Sequence, residues 1–318
     1  MNLNEIKKYI PGTAGLLFVS ALFSACGGSS GNGGATNLND DGTNDEATFS
    51  LGITDGPVDT AEQVVVQFDG VELQPASGDR ITFDFATPQS IDLLALQGNN
   101  SEMLLMNETI PAGEYSWVRL MVSAEQDGVM DSYLVDTSFV EHELWIPSGA
   151  ETGLKLVSGF TAAADSVVDF TIDFDLRKSV TFPPGLGGTY MLRPALRLVD
   201  NLTVGTVAGN IDAALIETAC GETAENNGSV YLYSGTVEVA EDISGADTDP
   251  LATATVDDEG GYEIGFIMQG QYSAAYTCDS AQDDPQADDE LSFYGLKTLE
   301  VSADTTTEVD FTATDTIE

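Results

Sequence analysis

The stretch Phe170-Thr171-Ile172-Asp173-Phe174-Asp175-Leu176 decides the fold. Large apolar side chains occupy every second position, with threonine or aspartate between them. The period is two rather than 3.6, so the segment reads as a strand with one apolar and one acidic face. Ile81-Thr82-Phe83-Asp84-Phe85 repeats the pattern, and turn residues such as Ser77-Gly78-Asp79 and Asp127-Gly128 interrupt the chain at short intervals. No long stretch has the spacing of an amphipathic helix, although Ser101 to Met106 has room for a turn or so. Many short strands in succession predict an all-β chain of β-sandwich domains rather than a βαβ fold.

Ahead of the strands, Lys7 and Lys8 precede an apolar run from about Ala14 to Leu22, which ends in small residues and Cys26. That order is the order of a secretory signal, and the run falls short of the roughly 20 apolar residues needed to span a bilayer. Phe23-Ser24-Ala25-Cys26 resembles the lipobox of bacterial lipoproteins, with Phe23 where leucine is more usual. The resemblance implies that residues 1–25 are a removed signal peptide. Cys26 then becomes the first mature residue and carries a diacylglycerol and an acyl chain such as palmitate. Several acyl chains hold a protein to a membrane where one does not, at about 0.8 kcal/mol per buried CH₂. Gly27 after the cysteine favours the outer membrane of a Gram-negative cell. Residues 26–46 are mostly Gly, Ser, Asn, Asp and Thr and read as a flexible acidic tether.

The chain carries 53 acidic and 10 basic residues, a formal charge of −43. Nucleic acid is excluded as a partner, because phosphate neutralisation needs Lys and Arg, and anionic lipid is repelled. The acidity suits high ionic strength and also offers carboxylates to divalent cations. Its distribution is uneven. Seven basic residues lie between 47 and 200, whereas from Asn201 onwards Lys297 stands against 25 acidic residues. The shift predicts two domains, 47–200 and 201–318. A faint echo joins them: Gly113-Glu114-Tyr115-Ser116 in the first and Gly270-Gln271-Tyr272-Ser273 in the second, each a turn glycine followed by a tyrosine that starts a strand into the core. With Cys26 lipidated, Cys220 and Cys278 remain as an even pair in an exported protein, and a disulfide is expected between them.

Four blocks of the first part, "LGITDGPVDTAEQVVVQFDGVEL" (51–73), "IDLLALQG" (91–98), "IPAGEYSWVRLMV" (110–122) and "YMLRPALRLVD" (190–200), resemble the bacterial family called domain of unknown function 4382. The resemblance implies an exported, often lipid-anchored protein without an established activity, and supplies no catalytic residues. The second part, through "TVAGNID" (206–212), "GSVYLYSG" (228–235), "ATATVDDEGGYEIGF" (252–266) and "GQYSAAY" (270–276), is similar to the carboxypeptidase regulatory-like, or transthyretin-like, domain. It departs from that pattern in an insertion between Ile211 and Gly228 and in an acidic loop from Asp283 to Glu290. That similarity implies support or adhesion rather than chemistry. The expectation is therefore two immunoglobulin- or transthyretin-like β-sandwich domains behind a lipoprotein signal peptide and a tether.

Parts for catalysis are scarce. His142 is the single histidine, and zinc-type His/Cys spacing, a nucleophile elbow and a phosphate-cradling glycine loop are absent from the sequence. Paired carboxylates are abundant, so a polysaccharide-active envelope enzyme working with two of them is the alternative reading. For calcium, Asn37, Asn39, Asp41 and Asp45 with Gly42 follow the start of a calcium loop, but Thr48 stands where the bidentate glutamate belongs. The ladder Asp169, Asp173 and Asp175 is the other cation candidate, with Arg177 and Lys178 near enough to offset its charge. In the strand "EYSWVRL", Tyr115, Trp117 and Arg119 are expected on one face and Val118, Leu120 and Val122 on the other. If the aromatic face is open, it suits a sugar ring or a partner residue; the alternative packs Trp117 under a loop or at the domain junction. These readings point to a non-enzymatic cell-envelope module that binds a glycan, a protein partner or a divalent cation.

Overall fold

Alternation governs the architecture. The structure, a computed structural model, describes residues 45–56, 61–147, 153–181, 189–193, 195–221 and 226–317. The first part runs through β1 (Glu46–Gly56), β2 (Ala61–Pro75), β3 (Ile81–Asp92), β4 (Glu102–Pro111), β5 (Gly113–Ser123), β6 (Tyr133–Asp136), β7 (Glu141–Trp145), β8 (Leu154–Leu156), β9 (Phe160–Ala162), β10 (Val167–Asp175), β11 (Val180–Thr181), β12 (Tyr190–Leu192) and β13 (Leu196–Asp200). One sheet has the order β13-β10-β1-β4; the other runs β11-β12-β7-β6-β2-β5-β8, with β3 paired to β2 and β9 to β5. Phe49, Leu51 and Ile53 of β1 meet Phe68 and Val71 of β2, Val118 and Leu120 of β5, and Ile172 and Phe174 of β10 in one buried cluster. Alternation within each strand contributes these side chains, and in β2 a register shift between Phe68 and Gly70 brings Phe68 and Val71 to the same face.

The second part contains β14 (Val204–Asn210), β15 (Ser229–Ser234), β16 (Ala252–Thr255), β17 (Gly261–Met268), β18 (Gly270–Thr277), β19 (Phe293–Val301) and β20 (Thr306–Glu308). They form two sheets, β17-β14-β20 and β16-β15-β18-β19. β15 is buried on both faces: Val230 and Leu232 pack with Val207, Ile264 and Phe311, while Tyr231 and Tyr233 pack beneath Ile243 and Phe293. The chain is thus all-β in its described residues apart from short helical pieces.

Two local expectations change. Ser101 to Met106 is not a turn but leads into β4, whose register against β1 places Leu105 opposite Leu51. The insertion after Ile211 holds a helix, α2 (Ala213–Cys220), preceded in the chain by the single turn α1 (Leu176–Ser179). Asp212 caps α2 by accepting the Ala214 amide at 3.2 Å. Leu215 is its one buried side chain, too little for a periodic signal. α2 ends at Cys220, which is disulfide-bonded to Cys278 across 58 residues; closing a loop of that length stabilises the fold by about 4 kcal/mol in the chain-entropy account.

The two glycine-tyrosine echoes prove to be the same device. Tyr115 donates its hydroxyl to the Pro111 carbonyl and Tyr272 to the Met268 carbonyl, each at 2.7 Å and each four residues back. The intervening Gly113 and Gly270 have φ of +153° and +159°.

The two parts meet along a polar seam. Arg177, on α1, is 4% exposed. Its Nη1 donates to the Ser280 carbonyl at 2.9 Å, its Nη2 to Ser229 Oγ at 3.4 Å, and its guanidinium lies 5.6 Å from the centre of the Tyr231 ring. Lys178 beside it reaches the Pro250 carbonyl. At the other end of the seam, Glu263 accepts the Asn99 amide at 3.0 Å and Thr206 donates to Asn99 Oδ1 at 2.9 Å. A Cβ on Gly265 would stand 2.3 Å from the Gly98 carbonyl oxygen, so a side chain there would wedge the seam open.

Removing one partner of a buried charged network is costly because the remaining groups lose their compensation. Arg177→Met is expected to lower stability by about 3 kcal/mol in urea unfolding. An unchanged midpoint would show that the seam does not depend on this guanidinium.

Candidate binding face around Trp117

Trp117 and Arg119 alternate along β5 with Val118 and Leu120, which are fully buried, so both point to the outer face of the large sheet. Strand register then assembles a row. Thr82 of β3 stands opposite Glu72 of β2, Glu72 opposite Arg119, and Arg119 opposite Lys155 of β8. Lys155 lies between buried Leu154 and Leu156 and is itself exposed. Glu72 accepts Arg80 Nη1 at 3.0 Å and also pairs with Arg119. It is only 6% exposed, because the two guanidiniums cover it.

Around Trp117 three cations converge. The guanidinium carbons of Arg80 and Arg119 each lie 5.9 Å from the centre of the half-buried ring, and Lys155 Nζ lies 4.5 Å from it. Beside this cluster is a groove of about 370 Å³ between the β2–β3 turn, with Pro75, Gly78 and Asp79, and the β4–β5 turn, with Pro111 and Glu114. Gln74, opposite Trp117, ties the two features together by donating Nε2 to the Pro75 carbonyl at 3.0 Å.

Tyr115 does not share this face. The pairing of β2 with β5 shifts between Gln74 and Pro75, where Trp117 and Tyr115 are successive partners and Ser116 is left over. The extra residue is a bulge that rotates Tyr115 inward, where it is 3% exposed and stacks on Phe160 at 4.6 Å between ring centres. The expected Tyr115-Trp117-Arg119 platform is therefore corrected to Trp117, Arg119, Arg80 and Lys155. Arg80 and Lys155 gave no sign in the sequence, since each is distant from Trp117 along the chain and joins it only through strand pairing.

The remaining candidates separate. Cys26, Asn37, Asn39 and Asp41 lie outside the described residues; Asp45 precedes β1 and is exposed. Asp169, Asp173 and Asp175 are not gathered around a common point: Asp169 accepts Asn201 Nδ2 at 2.9 Å, Asp173 pairs with Arg197, and Asp175 caps α1 and pairs with Lys178 at 3.3 Å. His142 holds Asp136 at 2.7 Å in the β6–β7 hairpin and contacts the Tyr190 ring.

The structure brings together a different trio, Asp242, Asp283 and Asp289, each with a carboxylate oxygen within 4.8 Å of the others. Its oxygens already serve the protein: Asp283 accepts the Tyr231 hydroxyl and the Ile243 amide, Asp242 the Asp289 amide, and Asp289 the Asp284 amide. The trio is a brace between two loops that cover β15.

Asp55 is 5% exposed, and among the described residues no donor makes a hydrogen bond to either of its carboxylate oxygens. Burial first, then Asp173 and Asp175, push its carboxyl well above the usual range, while the Leu176 and Gly56 amides pull the other way from outside hydrogen-bond geometry. Asp173 is also raised by burial, against the opposing Arg197 guanidinium. Both residues line a cavity of about 50 Å³ at the seam. That is room for on the order of a few waters, not for a sugar ring between two carboxylates.

Among known proteins, residues 46–194 match the family described as "Domain of unknown function (DUF4382)". No curated protein matches the chain. Among solved structures, the chain is similar to the Bacillus anthracis TIE protein at 8% identity and a TM-score of 0.21, covering 85% of this chain and 34% of that one. The chain thus spans about a third of that protein's length. It is similar to GBS52, the minor pilin of Streptococcus agalactiae, at 11% identity and a TM-score of 0.21, over 83% of this chain and 94% of that one. It is also similar to BcpA, the major pilin subunit of Bacillus cereus, at 11% identity and a TM-score of 0.19, over 86% and 100%. At those identities and scores their roles do not transfer to this chain. Among the described residues no helix is long and apolar enough to cross a membrane.

The carboxyls set the response to pH. A carboxyl whose folded pKa exceeds its unfolded value adds stability below the unfolded value and loses it as pH rises through the folded value. Asp55, Asp173 and Asp283, each raised chiefly by burial, are of this kind. Asp136, held low by His142 and the Val140 amide, is the reverse, as is Asp315, whose burial is outweighed by its bonds to Lys297 and Thr312. Tm is therefore expected to rise as pH falls from neutrality towards the upper carboxylate range and to drop once pH passes below that range. Asp55→Asn should raise Tm at neutral pH and flatten the rise. A wild-type Tm that falls steadily from neutrality downwards would contradict the assignment.

Proposed function

We propose that this chain is a lipid-anchored, non-enzymatic module of the cell envelope that binds a glycan or protein partner through the face around Trp117. The observation that carries the reading is the convergence of Arg80, Arg119 and Lys155 on one half-buried tryptophan beside a groove. An indole with part of its surface in water and charged groups fixed around it is the composition of a binding hot spot rather than of a packed core.

The other features support the same reading. The Cys26 lipobox resemblance provides an anchor to the outer membrane, and the tether after it provides reach. The Arg177 seam joins the two parts within one compact unit, residues 43–318, and the second part, similar in sequence to carboxypeptidase regulatory-like domains, serves as a structural support for the first.

Two measurements test this. Cells making the wild-type chain should incorporate an alkynyl palmitate probe into it, and Cys26→Ser should abolish the label; a labelled Cys26→Ser chain would refute the anchor. Trp117→Ala should leave Tm nearly unchanged while lowering the retention of those cells on their envelope or extracellular-matrix material about tenfold. Unchanged retention, or collapse of the fold, would place Trp117 in a structural role instead.

A further inference from the structure

Resting on the reading of the Trp117 face as a contact surface, the geometry points to what it holds: a carboxylate-bearing polysaccharide of the polyuronate class. A sugar carboxylate would sit at Arg80 and Lys155, and the hydroxyls of the same and the next residue would lie in the adjoining groove.

Charge placement is the first argument. The chain has 53 acidic and 10 basic residues, yet Arg80, Arg119 and Lys155 lie within 6 Å of one ring centre. Glu72 fixes two of them. It is buried, and its pairing with Arg80 and Arg119 orients both guanidiniums toward the indole. Arg80 nonetheless keeps a side chain 46% exposed, and Lys155 is exposed with no carboxylate partner among the described residues. At physiological ionic strength the Debye length is about 8 Å, so the distant acidic surface is largely screened at Arg80 and Lys155.

The indole's occupancy is the second argument. A neutral sugar binds tryptophan by stacking on an open ring face, but here Lys155 Nζ stands 4.5 Å from the ring centre. The ring orders an ammonium and leaves that ammonium facing water, an arrangement that selects an anion over a neutral ring.

The groove supplies the third. Its volume of about 370 Å³ lies at the lower end of the range for small-ligand sites, and Asp79 and Glu114 in its walls are acceptors for sugar hydroxyls. An acidic polypeptide would bring carboxylates to the cations with only backbone amides as donors, whereas each residue of a polyuronate carries a carboxylate for the cations together with hydroxyl donors for Asp79 and Glu114.

The test uses the full mature chain in detergent at 0.15 M salt, with oligogalacturonate, dextran and poly-glutamate as probes in titration calorimetry. Oligogalacturonate should bind. Lys155→Glu should weaken it about tenfold or more with Tm unchanged, and dextran should not bind. Dextran binding that is lost in Trp117→Ala but unaffected by Lys155→Glu would overturn the polyuronate assignment while leaving the Trp117 face as a binding surface. Poly-glutamate bound as tightly as oligogalacturonate would overturn it in favour of an acidic protein. Oligogalacturonate binding unaffected by Trp117→Ala would overturn the inference and the Trp117 reading together.

Discussion

The guanidinium of Arg177 is the charge on which the arrangement of the chain depends. It leaves the first part on a single turn of helix and is buried in the second, against Ser229, Tyr231 and Ser280. A buried cation tolerates few geometries, since every group that compensates it must be in place at once. Tyr231 passes the constraint on by donating to Asp283, and Asp283 holds the Ile243 amide of the loop that covers β15. The seam, the strand beneath it and the covering loops are therefore one polar network laid over the apolar cores.

Scarcity of positive charge makes the placement of the basic residues in the first part informative. Arg177 and Lys178 serve the seam, and Arg197 neutralises Asp173. Asp55, buried first of all and then repelled by Asp173 and Asp175, resists ionisation, and among the described residues no donor bonds to its carboxylate. Against that background, Lys155 differs in that its ammonium lies over an aromatic ring, faces solvent and has no carboxylate partner among the described residues. A protein that neutralised its acids at random would not leave an ammonium in that position.

Much of this was legible in the sequence. Period-two alternation located β3, β5 and β10, with the buried face of β5 and the half-buried apolar face of β3, and parity of the cysteines located the Cys220–Cys278 bond. The glycine-tyrosine echo marked two turns that proved to share one hydrogen bond. What escaped depends on strand pairing. Glu72 of β2 is buried because Arg80, from the β2–β3 turn, and Arg119, from β5, close over it. The trio Asp242, Asp283 and Asp289 spans loops whose meeting no local pattern encodes. The α2 helix is too short, and buries too little, to imprint a 3.6-residue period.

The most instructive departure is at Ser116. Strict alternation places Tyr115 beside Trp117; one unpaired residue opposite the Gln74–Pro75 step sends it to the core instead. There its hydroxyl fixes the Pro111 carbonyl, which shapes the β4–β5 turn, and that turn is a wall of the groove. A regular strand would have kept two aromatic rings on the surface and left Pro111 without this tie. The same bulge that defeats the alternation rule thus leaves Trp117 alone among the cations and builds the cleft at its side. Binding faces on sheets require such a break, because an unbroken ladder presents a flat row of side chains, whereas one extra residue supplies both a concavity and a change in which side chains line it.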